Sequence, residues 1–296
     1  MSESKTIQLH HPSGSRAEVY LYGATVTAFY AAQDPTRNVL FVSERAALDG
    51  SKPIRGGIPL VFPVFGSAPG FPNHGFVRTT DWKLSQLDQT VGDDSSPTIA
   101  TFSLGASEAT KAIYPHDFAL VYEVKLFANA LVTALHVHNT SGGEIAFQAL
   151  LHTYLAVDSV HGVTVQGLHG LQYHDKVAAE DKTEDREVLT FAHETDSVYQ
   201  DAPTPVVVRI RGMDTADRVV TIDKEAFIKS GATQTPQPSD AVVWNPWVDK
   251  AKGMSDFGDD EYLRMVCVEP GRVSAQQKLG AGQIFTLQQA IKLSAL

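Results

Sequence analysis

The chain has 296 residues, 43% of them hydrophobic and 20% charged, an ordinary globular composition that excludes disordered and collagen-like chains and allows a large core. A formal net charge of −10 argues against nucleic-acid and acidic-membrane surfaces, which are held by basic patches, though a few arginines in a cleft can still hold a small anion. The lone Cys267 excludes an internal disulfide and a multi-cysteine zinc site, and its apolar run Met265-Val266-Cys267-Val268 reads as a packed thiol.

The N-terminal MSESKTIQLHH lacks the apolar stretch of a secretory signal. The longest apolar run, 58–65, is too short to span a bilayer. A cytoplasmic protein is expected. Along the chain, β-branched and aromatic runs separated by Gly, Asn, Asp and Pro predict strands at 17–22, 26–30, 38–42, 98–104, 119–127, 131–139 and 145–154. Further strands are predicted at 188–191, 205–210, 218–222, 241–243, 262–269 and 283–291. In 131–139, Leu131, Thr133, Leu135 and Val137 share one face, and Val132, Ala134, His136 and His138 the other, which fits an antiparallel strand. Helix is predicted only at 43–48, with Ser43 as N-cap, and at 106–112. The Gly- and Pro-rich stretch 50–75 and the stretch 230–240 read as ordered loops. The whole points to an all-β chain of stacked antiparallel sheets. Without a composition shift, residues 1–296 are expected to form a single domain.

Several short patterns could carry chemistry. Arg55-Gly56-Gly57 offers close backbone approach and a planar donor fork for phosphate or carboxylate, yet it is also a common turn. In Asn73-His74-Gly75-Phe76-Val77-Arg78, an extended backbone would put His74, Phe76 and Arg78 on one face; a turn histidine and a surface arginine are the plain alternative. His152 sits in an apolar strand, where a satisfied core histidine is commoner than a catalyst, although imidazole suits proton transfer near neutrality. Pro270 holds Glu269 extended at a strand end, where burial would raise its pKa and solvation would leave it ordinary. Asp196 reads as a loop acid. His136 and His138 have the spacing of a metal pair, but a site needs three or four ligands and no further ligand motif is nearby. Trp244-Asn245-Pro246-Trp247 could stack on a sugar or plug a sheet end.

Taken together, the stretch 50–66 (GSKPIRGGIPLVFPVFG), 73–78 (NHGFVR), 151–154 (LHTY), 194–200 (ETDSVYQ), 243–247 (VWNPW) and 268–271 (VEPG) resemble the hexose-6-phosphate mutarotase family. This is the glucose-6-phosphate 1-epimerase branch of the aldose-1-epimerase superfamily, and the match runs in order over nearly the whole chain. The resemblance implies a large antiparallel sandwich of the galactose-mutarotase type. It implies a cofactor-independent monomer, without metal, that interconverts anomers of a small hexose 6-phosphate and has no nucleic-acid or membrane partner. It implies His152 as general acid, Glu269 as general base, Asp196 as a substrate-binding acid, and Arg55 and Arg78 as contacts to substrate and phosphate. His74 lies in the same binding motif, beside Asn73, where family members commonly carry the longer Gln. On this reading Glu269 has a pKa raised by partial burial, and Asp196 favours a protonated His152. The runner-up activities are mutarotation of unphosphorylated aldoses and a non-catalytic sugar-phosphate sensor.

Overall fold

The computed structural model describes residues 5–89 and 95–295. Thr6–His10, Arg16–Tyr20 and Val26–Tyr30 form a small sheet. An eight-stranded sheet runs in the order Glu180–Thr183, Gln172–Asp175, Thr195–Tyr199, Asp240–Asn245, Met265–Leu279, Ile145–Leu151 and Leu60–Val61, with Tyr154–Ala156 also on Met265–Leu279. A nine-stranded sheet runs Val163–Gln166, Val206–Ile210, Arg218–Ser230, Ile284–Ala295, Ala130–Asn139, Phe118–Leu126, Thr98–Gly105 and Lys83–Asp88, with Thr233–Gln237 beside Arg218–Ser230. The ladders between these strands are antiparallel, as the sequence predicts.

The two large sheets pack face to face through one hydrophobic cluster that includes Phe147, Leu151, Val243 and Val268 on one side and Leu120, Tyr122, Val137 and Phe285 on the other. Phe147 and Phe285 meet across it at 5.5 Å between ring centroids. The outer face of the eight-stranded sheet is covered as well. Val266 and Val268 point into the main core, whereas Met265 and Cys267 pack with Phe41, Tyr154, Trp244, Ala251 and Phe257 in a second cluster. Burial on both faces explains the unbroken apolar run around Cys267.

Several predicted elements change. The 145–154 strand is interrupted at His152–Thr153, giving Ile145–Leu151 and Tyr154–Ala156. The predicted strand at 262–269 begins at Met265, after a 3-10 turn at Glu261–Arg264. Segments 38–42 and 188–191 reduce to isolated bridges at Leu40, Val42 and Leu189. No helix forms at 43–48. There the buried Glu261 carboxylate accepts from the Ser43 hydroxyl at 2.6 Å and from the Glu44 amide at 2.8 Å, so a tertiary partner organises the turn instead of an i, i+4 ladder. The 106–112 helix shrinks to Glu108–Lys111, with Ser107 and Thr110 forming a reciprocal cap. The 230–240 loop contains the strand Thr233–Gln237.

The 50–75 stretch does pack down. Ile54, Ile58, Leu60, Val61 and Phe62 are buried. Its tight passes need glycine: at Gly75 (φ +74°) a Cβ would stand 2.0 Å from the Phe62 carbonyl oxygen, and only glycine takes that backbone without strain.

Candidate active site

The strand interruption creates the site. Leu150 pairs with Gly271 and Tyr154 with Cys267, so the same register sets His152 opposite Glu269 on the neighbouring strand. At the break the chain bonds to the ordered loop, the His152 amide donating to the Pro59 carbonyl at 3.0 Å and the Tyr154 amide to that of Gly57 at 2.9 Å. His152 Nδ1 and Glu269 Oε2 face each other at 3.3 Å, both side chains buried. The imidazole stacks on Tyr154 (4.7 Å between centroids, 11° between planes) and meets Trp244 and His74 edge-on.

These two side chains lie at the floor of a cleft of about 500 Å³, walled by Arg55, Phe65, Asn73, His74, Lys176, Asp196, Trp244, Lys250 and Met254. That volume suits a small polar ligand. Cross-strand pairing sets the wall as well: Asp196 lies opposite Trp244, which lies opposite Cys267. Lys176 continues the row, its amide donating to the Asp196 carbonyl at 2.8 Å and its ammonium pairing with the Asp196 carboxylate at 3.1 Å. Each remaining cation on the wall has an acid beside it. Arg55 pairs with Asp256 at 3.1 Å and donates to the Tyr154 hydroxyl at 3.2 Å; Lys250 pairs with Glu194 at 2.8 Å.

The electrostatics follow from burial. Burial pushes the His152 imidazole well below its ordinary pKa, and His74, Arg78, Arg55 and Lys176 add to the shift. Burial, then the charge of Asp196, pushes the Glu269 carboxyl well up, against the pull of Lys176. His74 is driven down to about 3 by burial and the nearby cations. At Arg55 burial opposes the charge, but Tyr154 and Asp256 outweigh it and hold the guanidinium protonated. The expected rise at Glu269 is therefore present, through complete burial. At His152 the push runs against the expected protonated imidazole, since burial favours the neutral form of each member of the pair.

Of the residues singled out from sequence, His152, Glu269, Asp196, Arg55, Asn73 and His74 all border this cleft. Arg78 is not among the lining residues; it is buried, and its Nη2 donates to the Asn73 carbonyl at 2.7 Å, which braces the 73–74 backbone. The extended reading of 73–78 fails because His74 (φ +64°) and Gly75 are left-handed and Val77–Thr79 is a 3-10 turn. Trp244 borders the cleft, whereas Trp247 packs against Tyr262 and His161. His136 lies on the other sheet, its Nδ1 within 2.8 Å of the Thr286 hydroxyl. Phe65, Lys176, Lys250 and Met254 carry no local signal in the sequence: Lys176 is brought in by its pairing with Asp196, and Lys250 by the short helix Trp247–Lys252.

The aldose 1-epimerase family profile matches residues 5–292. The chain belongs to the aldose 1-epimerase family. Among its relatives, a Cenchrus ciliaris protein provisionally named glucose-6-phosphate 1-epimerase is 34% identical over 274 residues, covering 90% of this chain and 78% of the relative. An Escherichia coli K12 protein with the same provisional name is 30% identical over 298 residues, covering 99% and 92%. A Salmonella typhimurium crystal structure, provisionally described as a mutarotase, superposes with a TM-score of 0.82 at 28% identity, covering 98% of this chain and 90% of that one. A galactose mutarotase related enzyme from Lactobacillus acidophilus, at 14% identity and a TM-score of 0.72 over 98% of this chain and 97% of its own, shares the fold. The protein is thus an isomerase of the mutarotase kind, built on the expected galactose-mutarotase-like antiparallel architecture. Among the described residues no helix is long and apolar enough to cross a membrane.

Proposed function

We propose that this aldose 1-epimerase family member interconverts the α and β anomers of hexose 6-phosphates, chiefly glucose 6-phosphate, with His152 and Glu269 as the proton-transfer pair. The observation that carries this reading is the cross-strand placement of imidazole and carboxyl, 3.3 Å apart, at the floor of a polar cleft in a chain of this family. Anomerisation opens the pyranose ring: a base takes the proton from the C1 hydroxyl while an acid gives one to the ring oxygen, the C1–C2 bond turns, and the ring recloses. Burial favours holding the proton of the pair on Glu269. When the sugar's hydroxyls fill the cavity, that proton crosses to His152. Glu269 then accepts from O1 and His152 donates to the ring oxygen, with the roles reversed on closure. Each transfer contributes roughly 10²–10⁴-fold in rate, and neither a metal nor a nucleotide is needed. Asp196 is the acceptor for sugar hydroxyls, and Trp244 supplies an apolar wall. Because these side chains come from segments between Arg55 and Glu269, the reading takes the chain as one working domain.

The relatives' names and the cations on the wall support a phosphorylated substrate. Arg55 and Lys250, which line the cleft, receive the phosphate, with Arg55 able to make paired hydrogen bonds. Arg78 serves by holding Asn73 and His74 in place. Losing one charge-assisted bond costs roughly 1.5–3 kcal/mol, about tenfold to a hundredfold in affinity. Arg55→Met is therefore expected to raise KM for glucose 6-phosphate by that factor and to leave free glucose nearly unaffected, measured as anomer exchange by NMR. Equal losses for the two sugars would refute the phosphate assignment and favour an unphosphorylated aldose. Binding without exchange above the spontaneous rate would mark a sensor.

A further inference from the structure

Cys267 is fully buried next to His152 and Glu269, behind the cleft lining, and takes no part in the proposed reaction. It lies two residues from Glu269 on the same strand and therefore on the same face, and it pairs in register with Tyr154. One donor atom each from His152, Cys267 and Glu269 lie within 4.8 Å of one another, and all three residues are buried.

We propose that His152, Cys267 and Glu269 form a binding site for a thiophilic divalent cation such as Zn²⁺, and that occupation of this site shuts the enzyme. Two ligands at 2.0–2.1 Å from a tetrahedral zinc stand about 3.3–3.4 Å apart, and the Nδ1 to Oε2 separation is already 3.3 Å. Both of those atoms are buried without a hydrogen-bond partner among the described residues, so their lone pairs are free to coordinate. The sulfur lies within 4.8 Å of a donor atom on each of the other two residues, and closing its two edges to tetrahedral bond lengths takes a movement on the order of 1 Å. On coordination the metal bonds to Nδ1, Sγ and Oε2 form, and two protons, one from the thiol and one from the Glu269 carboxyl, leave to solvent. Imidazole, thiolate and carboxylate together suit zinc or cobalt and disfavour magnesium, which takes oxygen ligands and keeps its waters. Three protein ligands leave a fourth position for an oxygen from the cleft. Inhibition rests on the proton-transfer reading above: a metal held on Nδ1 and Oε2 occupies the atoms between which the proton moves.

The test uses the purified full-length chain, titrated with Co²⁺ as a spectroscopic probe and with Zn²⁺ as competitor, without substrate. The expected result is one Co²⁺ per chain with a thiolate-to-cobalt charge-transfer band, displaced by Zn²⁺ and unaffected by excess Mg²⁺. Cys267→Ser and Cys267→Ala are expected to abolish the band and weaken Zn²⁺ binding at least tenfold. In the exchange assay, one equivalent of Zn²⁺ is expected to slow the wild type at least tenfold, and a chelator to restore it. Absence of the band in the wild type, equal Zn²⁺ affinity in the cysteine variants, or acceleration by Zn²⁺ would each overturn the proposal. A metal-free enzyme that shows no exchange refutes the proton-transfer reading and with it the inhibition. The band, read without sugar, still decides the metal site.

Discussion

Gln289 is fully buried between the two large sheets, and its replacement by methionine isolates what holds His152 in place. The Thr153 hydroxyl lies 3.0 Å from Gln289 Oε1 and 2.9 Å from Nε2, and Nε2 also donates to the Thr133 hydroxyl at 3.3 Å. Thr153 points into the core where its neighbour His152 points into the cleft, so this amide pins the interruption that presents the imidazole. Gln289→Met keeps the length and removes the polar head. Two net hydrogen bonds at about 0.5–1.5 kcal/mol each amount to roughly 1–3 kcal/mol. The Thr153 hydroxyl keeps the Leu151 carbonyl at 3.2 Å, which places the expected loss near about 2 kcal/mol. Urea unfolding at neutral pH with an unchanged m-value measures it. Anomer exchange on the same variant is expected to lose kcat severalfold with little change in KM, because the cleft wall is intact while the imidazole is less well fixed. A stability change under about 0.5 kcal/mol, within the range of an inert substitution, together with unaltered exchange would refute this role for Gln289.

Glu184 offers a pH test of stability. Burial favours its neutral form, but the Arg186 fork at 2.7 and 2.6 Å and the Tyr199 hydroxyl at 2.6 Å outweigh that and hold the carboxyl below its ordinary 4.5. A depressed folded-state pKa gives stability that is present above the unfolded value and lost as pH falls through the folded one. Glu184→Gln is thus expected to cost roughly 1.5–3 kcal/mol at pH 7, with the gap to wild type closing below pH 4.5; a gap that stays constant into acid would contradict the assignment. Gly75→Ala is expected to lose more than about 2 kcal/mol, since a left-handed non-glycine residue alone costs roughly 1–2 kcal/mol and its Cβ would press on the Phe62 backbone. It should also depress exchange by shifting His74. Wild-type thermal stability in this variant would show that the loop gives way easily.

Strands with contrasting faces, such as Ala130–Asn139, were legible because one side meets the core and the other does not. Lys83–Asp88 is exposed along its whole length and Glu180–Thr183 is almost entirely polar, so neither carries an apolar period. Asp196 looked like a loop acid because Thr195–Tyr199 has a polar start, although the strand ends in the core at Tyr199. The motif residues could be named from the family's pattern, yet their depth could not. Arg78 turns out to brace the backbone because His74 and Gly75 bend the chain. The downward push on the His152 pKa comes from burial by segments remote in sequence. Cys267 was legible as a packed thiol, but its nearness to His152 follows only from the register of the ladder.

The most direct measurement is magnetisation exchange between the anomers of glucose 6-phosphate, recorded by NMR with wild type, His152→Ala and Glu269→Gln. The account predicts that either substitution slows enzyme-catalysed exchange by about 10²–10⁴-fold, with substrate affinity changed by no more than a few-fold and the fold intact. Exchange near the wild-type rate in either variant would contradict it.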